Sequence, residues 1–112
     1  MPFIKLAKVA DFAALRIKSY QVFGKFIAIV KDPDGTLYAT EIACKHNNAD
    51  LSSGHFRGDV VTCSRHGWIY NIKTGQCLNQ NSSPLRRHAL EVRGGDIYVS
   101  TSVVEPKEEE EW

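Results

Sequence analysis

The chain has 112 residues, 43% of them hydrophobic and 24% charged, with a formal net charge of +1. That is the size of one domain with one apolar core, which excludes disorder of the whole chain. No apolar run approaches the roughly 18 residues of a bilayer-spanning helix. The start, Met1-Pro2-Phe3-Ile4-Lys5-Leu6-Ala7-Lys8, has neither the apolar stretch of a secretory leader nor a transit or lipidation pattern, so a cytoplasmic chain without membrane association is expected.

In chain order, Val9-Ala10-Asp11-Phe12-Ala13-Ala14-Leu15 is the one stretch with a helical look, and it is short. Arg16–Val22 alternates with the period of a strand, and Gly24-Lys25 interrupts before Phe26-Ile27-Ala28-Ile29-Val30. Asp32-Pro33-Asp34-Gly35 is a strong turn signal leading into Thr36–Thr40. Val60-Val61-Thr62 and Trp68-Ile69-Tyr70 are two further β-rich runs, the second followed by a turn at Lys73-Thr74-Gly75-Gln76. Ala89–Arg93 and Asp96–Ser100 flank Gly94-Gly95, another hairpin signal. Many short strands with Gly-rich turns predict an all-β fold, an antiparallel sandwich or barrel.

The end of the chain, residues 105–112, holds five of the 13 acidic residues, one of the 14 basic ones, a proline and no apolar period. It reads as an acidic C-terminal tail appended to a domain spanning 1–104. The remaining 13 basic and 8 acidic side chains are diffuse. With no basic stripe and no interleaved aromatics, nucleic acid is not an expected partner.

Three cysteines are too few and too unevenly placed for a disulfide framework, whereas Cys and His in short clusters point to a metal. Two such clusters stand out, Cys44-Lys45-His46 and Cys63-Ser64-Arg65-His66, with 16 residues between them. Each offers one soft thiolate and one imidazole, which suits zinc or iron–sulfur chemistry. In an extended backbone residues i and i+2 point the same way about 6.5 Å apart, better suited to two metal atoms than to one. Structural zinc sites more often space their pairs by two to four residues. Spacing alone therefore leans toward a dinuclear centre and leaves zinc open.

Cys-x-His followed by Cys-x-x-His-Gly-Trp-x-Tyr-x-x-x-Thr-Gly, here Cys63 through Gly75, closely resembles the Rieske family, and the likeness runs from about Phe26 to Ser100. The resemblance implies one [2Fe–2S] cluster per chain, with Cys44 and Cys63 on one iron and His46 and His66 on the other. It implies a Rieske-like antiparallel β-sandwich of three layers, with a small cluster-binding subdomain at about 42–80. Leu51, Gly67 and Trp68 would pack against the cluster, Tyr70 would hydrogen-bond a ligand thiolate, and Pro84 would belong to a third loop closing over it.

With two neutral imidazoles in place of two thiolates, the oxidised centre is neutral instead of doubly negative, so an added electron costs less. Rieske centres as a class span about −150 to +300 mV against about −400 mV for plant-type clusters. Bound imidazoles ionise more readily on oxidised metal, so the potential is expected to fall with pH once they titrate. High-potential members carry a disulfide between the two loops; Ala49 and Arg65 stand at the matching positions and exclude it. Trp68 replaces a serine that donates to a bridging sulfide, which places the potential low to middle in the class.

The resemblance therefore implies a ferredoxin, an electron-transfer component and not an enzyme by itself. A flavin-dependent reductase and a terminal oxygenase would be its transient partners, with the carrier itself a monomer. Two alternatives stay open: a small Rieske subunit of a larger oxidoreductase, such as a nitrite-reductase-like complex, and a zinc-stabilised interaction module. Lys45, Arg57 and Arg65 form either a positive rim for an acidic partner or ordinary solvated loop charge. Cys77 is expected to be a half-buried small apolar residue, and His55 and His88 surface histidines.

Overall fold

The computed structural model describes residues 3–44, 50–64 and 67–104. Its strands are β1 (Phe3–Lys8), β2 (Ile17–Val22), β3 (Lys25–Lys31), β4 (Leu37–Glu41), β5 (His55–Arg57), β6 (Val60–Thr62), β7 (Ile69–Asn71), β8 (Arg87–Arg93) and β9 (Asp96–Val104). Single 3-10 turns sit at Val9–Phe12 and Leu51–Ser53. The first is all that the helical-looking segment forms. Six strands make one sheet in the order β1-β9-β8-β4-β3-β2, and β5-β6-β7 make a second. All pairs are antiparallel, as an all-β sandwich requires.

The central strand β3 shows why the molecule has three layers. Its run of apolar residues is buried on both faces. Ile27 and Ile29 point into one core with Phe12, Val22, Ala39, Ile97 and Val99. Ala28 and Val30 point into another with Tyr38, Val61, Tyr70 and Ile72. The two edge strands, β1 through Ile4, Leu6 and Ala7 and β2 through Tyr20 and Val22, meet in the first core, so the large sheet curls into a nearly closed barrel. The second core lies between its β3–β4 face and the small sheet.

Two strands are absent from the sequence reading. In β1 the register against β9 shifts between Lys5 and Ala7; this bulge breaks the two-residue period that reveals a strand. β5 has only three residues. The first hairpin also differs by a residue: Phe23-Gly24 is the turn, at φ 51° and 79°, with Val22 paired to Lys25. Positive φ at both places marks a type I′ turn, which favours Asn and Gly. Phe23 is the sole non-glycine residue with positive φ among those described, and it is 82% exposed.

The chain leaves the barrel after β4 and re-enters it at β8, which pairs with β4. At that doorway Glu41 N–H donates to the Arg86 carbonyl at 2.8 Å, and Arg86 N–H donates to Glu41 Oε1 at 2.7 Å. The Arg86 guanidinium reaches Glu41 Oε2 at 3.3 Å. Farther out, Arg16 clamps the β5–β6 turn, with Nη2 on Asp59 Oδ1 at 2.6 Å and Nη1 on the Gly58 carbonyl at 2.7 Å. Lys73 Nζ lies 3.0 Å from Asp32 Oδ2, whose side chain is buried, and Arg87 donates to the Lys73 carbonyl while its guanidinium stacks on Tyr38. Burial of the Tyr38 hydroxyl pushes its pKa up to about 12.

Candidate metal centre

The first loop begins as β4 ends. Ile42 N–H donates to the Phe26 carbonyl at 3.2 Å, and Leu51 N–H donates to the Ile42 carbonyl at 2.7 Å. An isolated bridge joins Ala43 to Asp50. Cys44 therefore stands at the first position of a loop whose two ends are stapled together. Asp50 holds the far end: Oδ1 accepts from Ser52 N–H at 2.9 Å and Oδ2 from the Ser19 hydroxyl at 3.0 Å. At Gly54, just beyond, a Cβ would run into the Thr62 carbonyl of β6; only glycine lets the two loop-bearing segments approach so closely.

The second loop is tighter. Cys63 follows β6 directly; its N–H donates to the Trp68 carbonyl at 2.8 Å and its carbonyl accepts from Gly67 N–H at 3.1 Å. Asn79 touches the same turn from the segment after β7. Its Nδ2 donates to the Gly67 carbonyl at 3.0 Å, and its Oδ1 accepts from Ile69 N–H at 2.9 Å. A third segment comes back over both, with Leu85 N–H donating to the Gly75 carbonyl at 2.7 Å.

Cys44 and Cys63 are 1% and 3% exposed and share one apolar cluster with Ile42, Leu51, Tyr70, Ile72 and Leu85. Neither forms a disulfide. Two buried thiols brought by separately stapled loops into one apolar cluster are a donor set for a soft metal centre. Cys44 also lines a cavity of about 220 Å³ floored by Gly24–Phe26 and walled by Glu41 and Arg86. His46 and His66 lie outside the described residues, as do Lys45, Ala49, Arg65 and the tail 105–112.

Leu51 and Tyr70 are fully buried in the apolar cluster that holds the two thiols; Trp68 is half-buried against that cluster, and Gly67 is exposed at φ 73°. Pro84 is exposed, while its neighbour Leu85 fills the cluster. Arg57 and His55 are exposed on β5. Two readings need correction. Cys77 is buried outright, in the cluster that holds Cys44 and Cys63. His88 is 3% exposed; its Nδ1 lies 2.9 Å from the Ser100 carbonyl. A carbonyl can only accept, so Nδ1 carries the proton. Nε2 is left with a buried lone pair and no partner among the described residues. Burial holds the pKa of His88 below the ordinary histidine value. The register shift between His88 and Leu90 hides this inward side chain from a two-residue pattern.

A small antiparallel β barrel with a cap presenting two cysteine loops defines a class of iron–sulfur electron-transfer proteins, and the comparisons place the chain within it. Residues 3–90 match the Rieske [2Fe-2S] domain, and the chain belongs to that family. It is 32% identical over 103 residues to the ferredoxin subunit of 3-phenylpropionate/cinnamic acid dioxygenase of Escherichia coli K12, covering 90% of this chain and 92% of that protein. Ferredoxin CarAc of Metapseudomonas resinovorans is 32% identical over 98 residues, covering 87% and 92%. Among solved structures, a chain in the complex of reduced oxygenase and oxidized ferredoxin in carbazole 1,9a-dioxygenase superposes with a TM-score of 0.75 at 31% identity. It covers 91% of this chain and 95% of that one. The cofactor is thus a [2Fe–2S] cluster and the role that of an electron carrier. Among the described residues no helix is long and apolar enough to cross a membrane.

Proposed function

We propose that the chain holds one [2Fe–2S] cluster on Cys44, His46, Cys63 and His66. In this reading it carries single electrons, as a cytoplasmic monomer, from a flavin-dependent reductase to a terminal oxygenase. The observation that carries this reading is the pair of buried, unlinked thiols at the starts of two stapled loops. The partners follow from a relative named as the ferredoxin subunit of a dioxygenase and from a similar chain in a complex of oxygenase and ferredoxin. The domain would span 1–104, with the cluster subdomain at about 42–80 and the acidic tail outside it.

When bound, the cluster supplies a one-electron couple. The chain's own residues keep water from it and hold it in place. Leu51, Tyr70, Ile72 and Leu85 surround the two cysteines with apolar surface, which weakens solvent screening and makes neighbouring charges count for more in setting the potential. Trp68, half-buried, packs against the same apolar residues. The bonds at the loop ends would hold Cys44 and Cys63 in place as ligands.

The test is iron and acid-labile sulfide analysis of the purified chain, followed by EPR of the dithionite-reduced protein. Two irons and two sulfides per chain with a Rieske-type anisotropic signal, lost in Cys63→Ser, are expected. A colourless protein with one zinc and no sulfide would overturn the reading.

A further inference from the structure

Among the described residues, no strand pairs along the outer side of the turn after Cys63, and a side chain stands there instead. β7 pairs with β6 along one edge. On its other edge Tyr70 bridges Cys77, and Leu78 N–H donates to the Ile69 carbonyl at 2.7 Å. There the backbone ladder stops, and the carboxamide of Asn79 continues it. It gives a hydrogen bond to the carbonyl of residue 67 and takes one from the N–H of residue 69. In a parallel ladder one residue pairs in this way through its own N–H and C=O, bonding the peptides on either side of the residue opposite, so the side-chain amide stands in for one such residue. Its orientation is not ambiguous, because the Gly67 carbonyl can only accept and the Ile69 N–H can only donate. The Cys77 thiol approaches the same Oδ1 at 3.9 Å.

The location gives this contact its consequence. The two peptides that Asn79 grips flank Trp68, and Gly67 directly follows His66 in the chain. The inner side of the turn is already fixed by the two hydrogen bonds between Cys63 and residues 67 and 68. Asn79 adds two bonds on the outer side of this turn, where Gly67 has positive φ. We propose that Asn79 is a positioning residue for the cluster, fixing the peptide planes after His66 and with them the presentation of that imidazole to the iron. The inference rests on the ligand assignment proposed above. An aspartate at this position keeps the acceptor for Ile69 but sets a second oxygen against the Gly67 carbonyl. A leucine removes both bonds at similar volume.

The experiment compares the full chain with Asn79→Asp and Asn79→Leu by reduced-state EPR and by spectroelectrochemical potential. We expect both variants to show altered principal g values, which report ligand geometry, together with a moved potential and several-fold faster cluster loss on warming. Should the leucine variant not accumulate, the aspartate variant, changed by one atom group, carries the test. An aspartate variant that keeps wild-type strand circular dichroism yet loads less than one cluster per chain also supports the proposal, because only the turn has been altered. Wild-type g values in fully loaded variants overturn it. So does a potential that moves in the aspartate variant alone with g values unchanged, since that is a charge effect. A wild-type chain without any iron–sulfur signal overturns instead the ligand assignment.

Discussion

The barrel and its cap are stabilised by different means. The barrel strands run to seven residues in β3 and β8 and nine in β9, with tight hairpins and a core of Ile27, Ile29, Phe12, Ile97 and Val99. The cap strands have three residues each, too short to persist alone in water. Their order comes instead from turns and long-range ties. Asn71 Oδ1 accepts from the N–H groups of Lys73 and Thr74 at 2.9 and 3.1 Å; Arg16 and Lys73 anchor the two outer turns to the barrel. The barrel has its own apolar core and long paired strands, whereas the cap leans on the barrel it docks on.

The largest expected effect separates the two regions outright. Cluster removal, or Cys44→Ser, should abolish slow hydrogen exchange in β5–β7 while β3, β4 and β9 stay protected. Equal loss in both regions would show that they fold as one unit. Next, Ile29→Ala in the barrel core should lower global stability by about 3 kcal/mol in denaturant titration, with the visible spectrum of the folded protein unchanged.

A smaller effect depends on pH. His88 has a folded-state pKa below its unfolded value, so the unfolded chain binds the proton more readily. Its neutral form leaves stability intact above about pH 6.5, the unperturbed histidine value, and stability declines as pH falls below that. In matched thermal melts, His88→Asn should flatten that part of the pH profile; an unchanged slope would assign it elsewhere. The smallest change is a gain. Phe23→Asn places a tolerant residue at φ 51° and should raise stability by about 1 kcal/mol, since αL costs most residues 1–2 kcal/mol.

What the sequence made legible follows local signals and not that division: the cap strands β6 and β7 were read, and the barrel strand β1 was not. Barrel strands β2, β3, β4, β8 and β9 could be read because their periodicity and turn residues are local signals. β1 was hidden by its bulge and β5 by its brevity. The cysteines are legible for a chemical reason, since two soft ligands at short spacing from imidazoles have few other uses. His88 could not be read, because its burial depends on a register shift rather than on its neighbours. Nor could Asn79, a polar residue in a polar stretch whose two bonds reach back ten and twelve residues. Contacts of that kind exist only once the fold has brought the segments together.

The doorway at Glu41 and Arg86 has a practical consequence. Everything from Ile42 to Leu85 departs and returns through two adjacent strands, latched by a reciprocal backbone and side-chain pair. Such a segment is a cassette. Exchanged between relatives at those two residues, with Arg16, Asp32 and Arg87 kept to receive it, it would transplant a redox centre onto a foreign barrel without disturbing a single barrel hairpin.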